Sequence, residues 1–133
     1  MPTSREQPFI AATWLTKLLV GANSCEWATW FKTHNQRTDA EKVPSTTDWT
    51  SYRVAHTGLL NEVREEYEKQ GYTVTTERQN QFYLRGRIAT LSGVPDLIAI
   101  KENEGVIIDA KSTKLQPWHP AQVQLYMWAV PLA

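Results

Sequence analysis

Two acids and a lysine stand in the most hydrophobic part of the chain. Asp96 lies in Gly93–Ile100, "GVPDLIAI", and Asp109 and Lys111 lie in Gly105–Lys114, "GVIIDAKSTK". In an extended strand residues i and i+2 share a face, so Asp109 and Lys111 point the same way. If the two stretches pair as a hairpin, Asp96 opens the first strand and its carboxylate can approach that of Asp109. Two carboxylates in apolar surroundings repel each other and lose hydration, a cost that a marginally stable fold does not absorb unaided. A divalent cation relieves both effects. Mg²⁺ in particular takes one or two carboxylates and completes its shell with water and substrate phosphate. Lys111 would then place a point charge beside the metal, able to orient the attacking water or to steady charge developing on phosphorus. The alternative is an edge-strand ion pair between Asp109 and Lys111 with a Pro-Asp turn before it, which contributes little.

The elements that must position these groups follow from periodicity. Residues 8–33 read as helical, in two pieces broken near Gly21–Ser24, with Ser24 available to cap the second. Residues 35–48 are polar, aperiodic and contain a proline, hence a surface loop. Over about 49–70, Tyr52, Ala55, Leu59, Leu60, Val63 and Tyr67 recur at helical spacing, and Gly71 stands at a C-terminal cap. Residues 72–77 and 80–87 are rich in β-branched and aromatic types and read as strands. The two acid-bearing stretches follow, joined by "KENEG" as a hairpin turn. Residues 121–130 read as a last helix, with Pro120 tolerated in its first turn. This order predicts an α+β fold: a central, mostly antiparallel or mixed sheet of about four strands flanked by helices.

Composition narrows the class. With 133 residues the chain is expected to be one domain, with an N-terminal helical and loop region over 1–48 and a core over 49–133. Hydrophobic residues at 41% and charged residues at 21% exclude wholesale disorder. Fourteen basic against fourteen acidic residues exclude a strongly basic nucleic-acid coat but leave room for a locally basic groove. The single cysteine, Cys25, excludes an intrachain disulfide framework and fits a reducing compartment. No signal-peptide pattern opens the chain and no apolar run approaches the roughly 18 residues of a membrane span, so an intracellular, cytoplasmic protein is expected.

The ordered set of Pro95-Asp96, Asp109-x-Lys111 and Gln122-x-x-x-Tyr126 resembles the PD-(D/E)XK nuclease superfamily, most of all its RecB-like branch, which includes CRISPR-associated RecB-like exonucleases. The resemblance covers about residues 50–130. It implies a restriction-endonuclease-like fold and a Mg²⁺- or Mn²⁺-dependent deoxyribonuclease, exonucleolytic, of prokaryotic or phage origin. It makes Asp96 and Asp109 metal ligands, Lys111 the catalytic lysine, and Gln122 and Tyr126 contacts of single- or double-stranded DNA bound without sequence preference. For Tyr126 the alternative is packing on the sheet with its hydroxyl bonded. RecB-like members add a metal ligand from a preceding helix, often histidine, and His56 falls within the apolar stripe of the long helix. Glu62, about 120° away at about 100° per residue, is the fallback ligand. As a buried-face residue, His56 can equally be a satisfied core histidine. Glu77 is a candidate to orient a group of the site, and Arg85, Arg87 and Lys114 are candidate phosphate contacts.

Two features depart from the family pattern. Some RecB-like exonucleases hold an iron–sulfur cluster on four cysteines, and Cys25 alone supports no such cluster in this chain. The family usually continues with more strand and helix beyond the motif helix, so a C-terminally short or minimal version is expected. A non-cleaving DNA-binding or scaffolding subunit and a sequence-specific endonuclease remain the alternatives to an exonuclease.

Overall fold

The structure is a computed structural model, and it describes residues 3–22, 25–36, 46, 48–111 and 114–133. The elements run β1 (Phe9–Ala11), α1 (Ala12–Leu19), α2 (Glu26–His34), α3 (Trp49–Lys69), β2 (Thr73–Thr76), a 3₁₀ turn (Glu77–Asn80), β3 (Phe82–Arg85), β4 (Thr90–Gly93), β5 (Leu97–Lys101), β6 (Glu104–Ile108) and α4 (Trp118–Ala129), with a final 3₁₀ turn at Val130–Leu132. The class is α+β, as expected, but the strands form two three-stranded sheets rather than one of about four. Among the described residues no helix is long and apolar enough to cross a membrane.

The chain divides into two compact units. The first joins residues 1–45, 82–93 and 117–133. Its sheet has the order β1-β4-β3, with β1 parallel to β4 (Phe9 opposite Thr90) and β3 antiparallel to β4 (Phe82 opposite Gly93). Helices α1 and α4 pack on each other in this unit. Residues 9–11, expected to begin a helix, are a strand instead. Three residues are too few to show a period, and their conformation is set by a partner far along the chain.

The second unit joins residues 46–81 and 94–116. Its sheet is antiparallel, in the order β2-β5-β6, with Thr76 opposite Leu97 and Leu97 opposite Ile108. Leu60 of α3, Leu97 of β5 and Ala110 form its buried centre, and Leu59, Val63, Val74 and Ile108 pack around them. Helix α3 has the expected stripe, apart from Ala55, which is exposed. Its ends are well made. The Asp48 carboxylate accepts from the Ser51 N–H (3.1 Å) and Oγ (2.8 Å), which holds its pKa below the ordinary value. Gly71, with φ of 91°, follows the other end, where Lys101 Nζ donates to the Gln70 carbonyl at 2.8 Å.

"GVPDLIAI" is not one strand. Gly93 ends β4 and Leu97 begins β5, so Val94, Pro95 and Asp96 form the link between two sheets. Proline has no N–H for a ladder, which accounts for the break. "KENEG" is the expected turn: Lys101 pairs with Glu104, and Glu102 takes a left-handed φ of 54°. The second predicted strand, 80–87, starts late because residues 77–80 form a 3₁₀ turn. The Ser24 cap lies outside the described residues.

Candidate active site

The second unit brings four of the expected residues together. Ala110 is buried in the core beneath α3, and its N–H donates to Asp96 Oδ2 at 3.0 Å. A small residue between Asp109 and Lys111 lets the backbone sit against Leu60 and Leu97 while the acid and the base project from it. Those two side chains meet: Lys111 Nζ lies 2.6 Å from Asp109 Oδ2. Asp109 and Lys111 stand past the end of β6, so the strand argument placed them together although neither belongs to the ladder.

Asp96 links this pair to α3. Its Oδ1 lies 3.5 Å from His56 Nε2, and both side chains are largely withdrawn from solvent, at 17% and 16% exposure. The His56 ring stacks on Tyr52, one helical turn earlier, at 5.8 Å and 10°. Its other nitrogen, Nδ1, is buried and has no hydrogen-bond partner. Burial raises the Asp96 pKa most, and the neighbouring Asp109 carboxylate raises it further through its charge and through a hydrogen bond between the two. His56 and the Ala110 N–H act in the other direction, and the balance leaves the group at about 6.

The backbone of Asp96 is held as firmly as its side chain. Buried Asn80 directs its Nδ2 to the carbonyls of Thr75 (3.0 Å), Pro95 (3.0 Å) and Asp96 (3.3 Å), and its Oδ1 accepts from Thr75 Oγ1 at 2.5 Å. The Glu77 N–H donates to the same Asp96 carbonyl at 3.0 Å. Glu77 takes a φ of 32°, and its side chain is exposed, so its contribution here is through the backbone. Asn80 was hidden in the sequence as one polar residue among several. The signal that could have found it is Thr76-x-x-Gln79, a capping box that closes the turn presenting it.

The donor set fits a small divalent cation. Asp96 and Asp109 adjoin, and the buried Asp109 Oδ2, although in charge contact with Lys111, lacks an aligned hydrogen bond. His56 presents Nε2 toward Asp96. Among the described residues no three His, Cys, Asp or Glu side chains stand grouped so as to hold a metal ion. Two carboxylates with other positions left to water and phosphate are the kind of ligand set Mg²⁺ takes. Glu62 is exposed on α3, and Cys25, before α2, is exposed and in no disulfide.

Gln122 and Tyr126 lie in the first unit, on α4, and both are buried. Gln122 Nε2 donates to the Tyr126 hydroxyl at 3.1 Å. The Tyr126 ring meets Phe82 edge-on at 5.9 Å, and both rings crowd Gly93, where a Cβ would stand 2.6 Å from Tyr126 and 2.9 Å from Phe82. Arg85 and Arg87 are exposed in this unit, and Lys114 is exposed in the other.

A largely buried acid pair with a lysine against one acid and a histidine against the other has the residue types that metal-assisted phosphoryl chemistry uses. The family comparison agrees with that class. The PD-(D/E)XK nuclease superfamily matches residues 16–132, and the chain belongs to that superfamily. No curated protein and no solved structure matches the chain.

Proposed function

We propose that the protein is a metal-dependent deoxyribonuclease of the RecB-like kind, acting as an exonuclease, with Asp96, Asp109 and Lys111 at its catalytic centre. The observation that carries this reading is the Asp96–Asp109–Lys111 cluster: two adjoining, largely buried carboxyls, one of them with a pKa raised to about 6, and a lysine 2.6 Å from the other. Nothing in packing rewards that arrangement, since the acids repel and an apolar substitute would fill the space more favourably.

Asp96 and Asp109 would hold Mg²⁺ or Mn²⁺, with His56 as a third ligand. When bound, the cation supplies positive charge to the scissile phosphate and lowers the pKa of water. The protein's own groups do the rest. Lys111 is released from Asp109 to donate a hydrogen bond to a non-bridging phosphate oxygen or to the attacking water. Water adds to phosphorus in line with the departing sugar oxygen and loses a proton to solvent, the P–O bond to that sugar breaks, and the leaving oxygen takes a proton from solvent. Asn80 and the Glu77 N–H keep the Asp96 backbone fixed during this. Gln122 and Tyr126, expected as DNA contacts, serve in this reading to brace Gly93, three residues before Asp96.

The test is release of nucleotides from end-labelled single- and double-stranded DNA with Mg²⁺, Mn²⁺ or EDTA. The folded parent should cut only with metal, and Asp109→Ala and Lys111→Ala should each lower the rate at least a hundredfold. Resistance of covalently closed circles would support the exonuclease, whereas their cleavage would replace it with an endonuclease. A folded parent that binds DNA and never cuts it would leave a non-cleaving binding subunit.

A further inference from the structure

The first unit contains a cavity that the catalytic cluster does not use. It has a volume of about 590 Å³, between the segment leading into β1 and the β3–β4 hairpin, and Arg5, Gln7, Tyr83, Arg85 and Thr90 are on its wall. That volume lies within the range of small-molecule sites. We propose that this cavity is a subsite for single-stranded nucleic acid, in which Arg5 and Arg85 take a phosphate and Tyr83 stacks on an unpaired base. The inference rests on nucleic acid being the substrate, but not on the chain cutting it.

Three observations point to a ligand here. Arg5 Nε is buried without a hydrogen-bond partner, while its guanidinium lies over the Phe9 ring, 4.8 Å from the centroid. A charged donor withdrawn from water and left unmet is costly, and a phosphate oxygen in the cavity would satisfy it. Across the cavity Arg85 lies over the Tyr83 ring at 5.6 Å, and Tyr83 is still 45% exposed, so ring and guanidinium together offer a flat cationic surface. The wall is also fixed in advance. Gln7 Nε2 donates to the carbonyls of Gly86 (3.2 Å) and Arg87 (3.4 Å), and its Oε1 accepts from Thr90 Oγ1 at 3.1 Å. A ligand entering it has little ordering of the protein to offset.

The chemistry selects among anions. A duplex keeps its base faces stacked inside, so a tyrosine–arginine stacking surface reaches only an unpaired base. Glu6, the acid on the wall, holds the local charge down and disfavours a polyanion bound by charge alone, while it can accept from an exocyclic amine. A free nucleotide carries the same phosphate and base as a strand, and the experiment must separate them.

Binding of a fluorescent oligodeoxynucleotide is measured by anisotropy in EDTA, where hydrolysis does not run. The parent should bind, Tyr83→Ala should weaken binding about tenfold, and Arg5→Gln and Arg85→Gln should do so comparably while keeping part of each stem. Asp109→Ala, which removes an acid that repels phosphate when no cation is present, should not weaken binding, so loss of cutting and loss of this subsite are read separately. Photocrosslinking of an iodouracil oligonucleotide to the parent needs no variant to fold, and should label Tyr83. An annealed duplex and the mononucleotide dTMP serve as competitors, and both should compete far worse than the single strand. Unchanged affinity in folded Tyr83→Ala and Arg85→Gln, or crosslinks that spare the cavity wall, would overturn the subsite. Equal competition by dTMP would make it a nucleotide site rather than one for a strand.

Discussion

Asp96 is the residue whose charge the fold accommodates least. Its folded pKa of about 6 stands above the ordinary 3.8, chiefly through burial and then through Asp109. Between those two values the folded protein binds more protons than the unfolded chain, so this group makes stability fall as pH rises through that window, and the loss is complete above it. Asp96→Asn removes the titration and can keep its oxygen toward the Ala110 N–H. The variant should therefore gain on the parent as pH rises from about 4 to about 6, reaching ~1 kcal/mol once solvent screening is allowed for. A metal binds the ionised acid, so Mg²⁺ should raise the melting temperature of the parent at pH 7.5, less so below pH 6, and not that of Asp96→Asn. Melting curves across pH, with and without Mg²⁺, read both effects. A difference between parent and variant that stays flat with pH would remove Asp96 as the strained acid.

At the scale of elements, the 3₁₀ turn at Glu77–Asn80 holds the Pro-Asp link by its backbone, and in the other unit Gly93 is tightly enclosed by two rings. The 3₁₀ turn presents Asn80 to three carbonyls, and Asn80→Ala would leave the buried Pro95 oxygen unmet, at a cost of about 2 kcal/mol. Asn80→Asp, which keeps the shape but cannot donate, should cost no less. In a variant still folded, the metal concentration for half-maximal activity should rise more than the limiting rate falls, because Asn80 acts through the placement of Asp96. Gly93→Ala should cost about 1–3 kcal/mol, since its Cβ falls on the Tyr126 and Phe82 rings and over-packing is relieved only by moving them. Chemical denaturation compares both with the parent. Much of this architecture was legible beforehand. Helix α3 shows its stripe over 21 residues and its glycine beyond the end, and the β5–β6 hairpin shows its polar turn between apolar runs. Asp96, Asp109 and Lys111 were conspicuous because they interrupt those runs. Strand β1 was not legible, since Phe9 pairs with Thr90 and nothing local marks it. Asn80 was not either, because a polar residue near a turn becomes informative only once it is known to be buried.

For the whole molecule the decisive number is its charge, fourteen basic residues against fourteen acidic. A strongly basic nuclease would hold DNA through many phosphates and lose it steeply with salt. Here the candidate strand contacts of the first unit are Arg5, Arg85 and the neighbouring Arg87, and the paired acids of the second unit would repel phosphate unless a cation covered them. Three contacts on a single strand release about two counterions, so in EDTA the logarithm of affinity should fall with that of salt at a slope of about −2. Arg5→Gln and Arg85→Gln should each reduce the slope by about 0.7. The metal should act in the opposite sense to a screening salt. With the slow Lys111→Ala variant, adding Mg²⁺ at fixed ionic strength should tighten DNA binding about tenfold, and EDTA should reverse it, because Asp96 and Asp109 then present a cation to the phosphate instead of bare carboxylates. Titrations at several salt concentrations, with Mg²⁺ and with EDTA, distinguish the terms. A steep slope would mean that other basic groups carry the strand, and binding indifferent to Mg²⁺ would mean that the phosphate does not reach the acids.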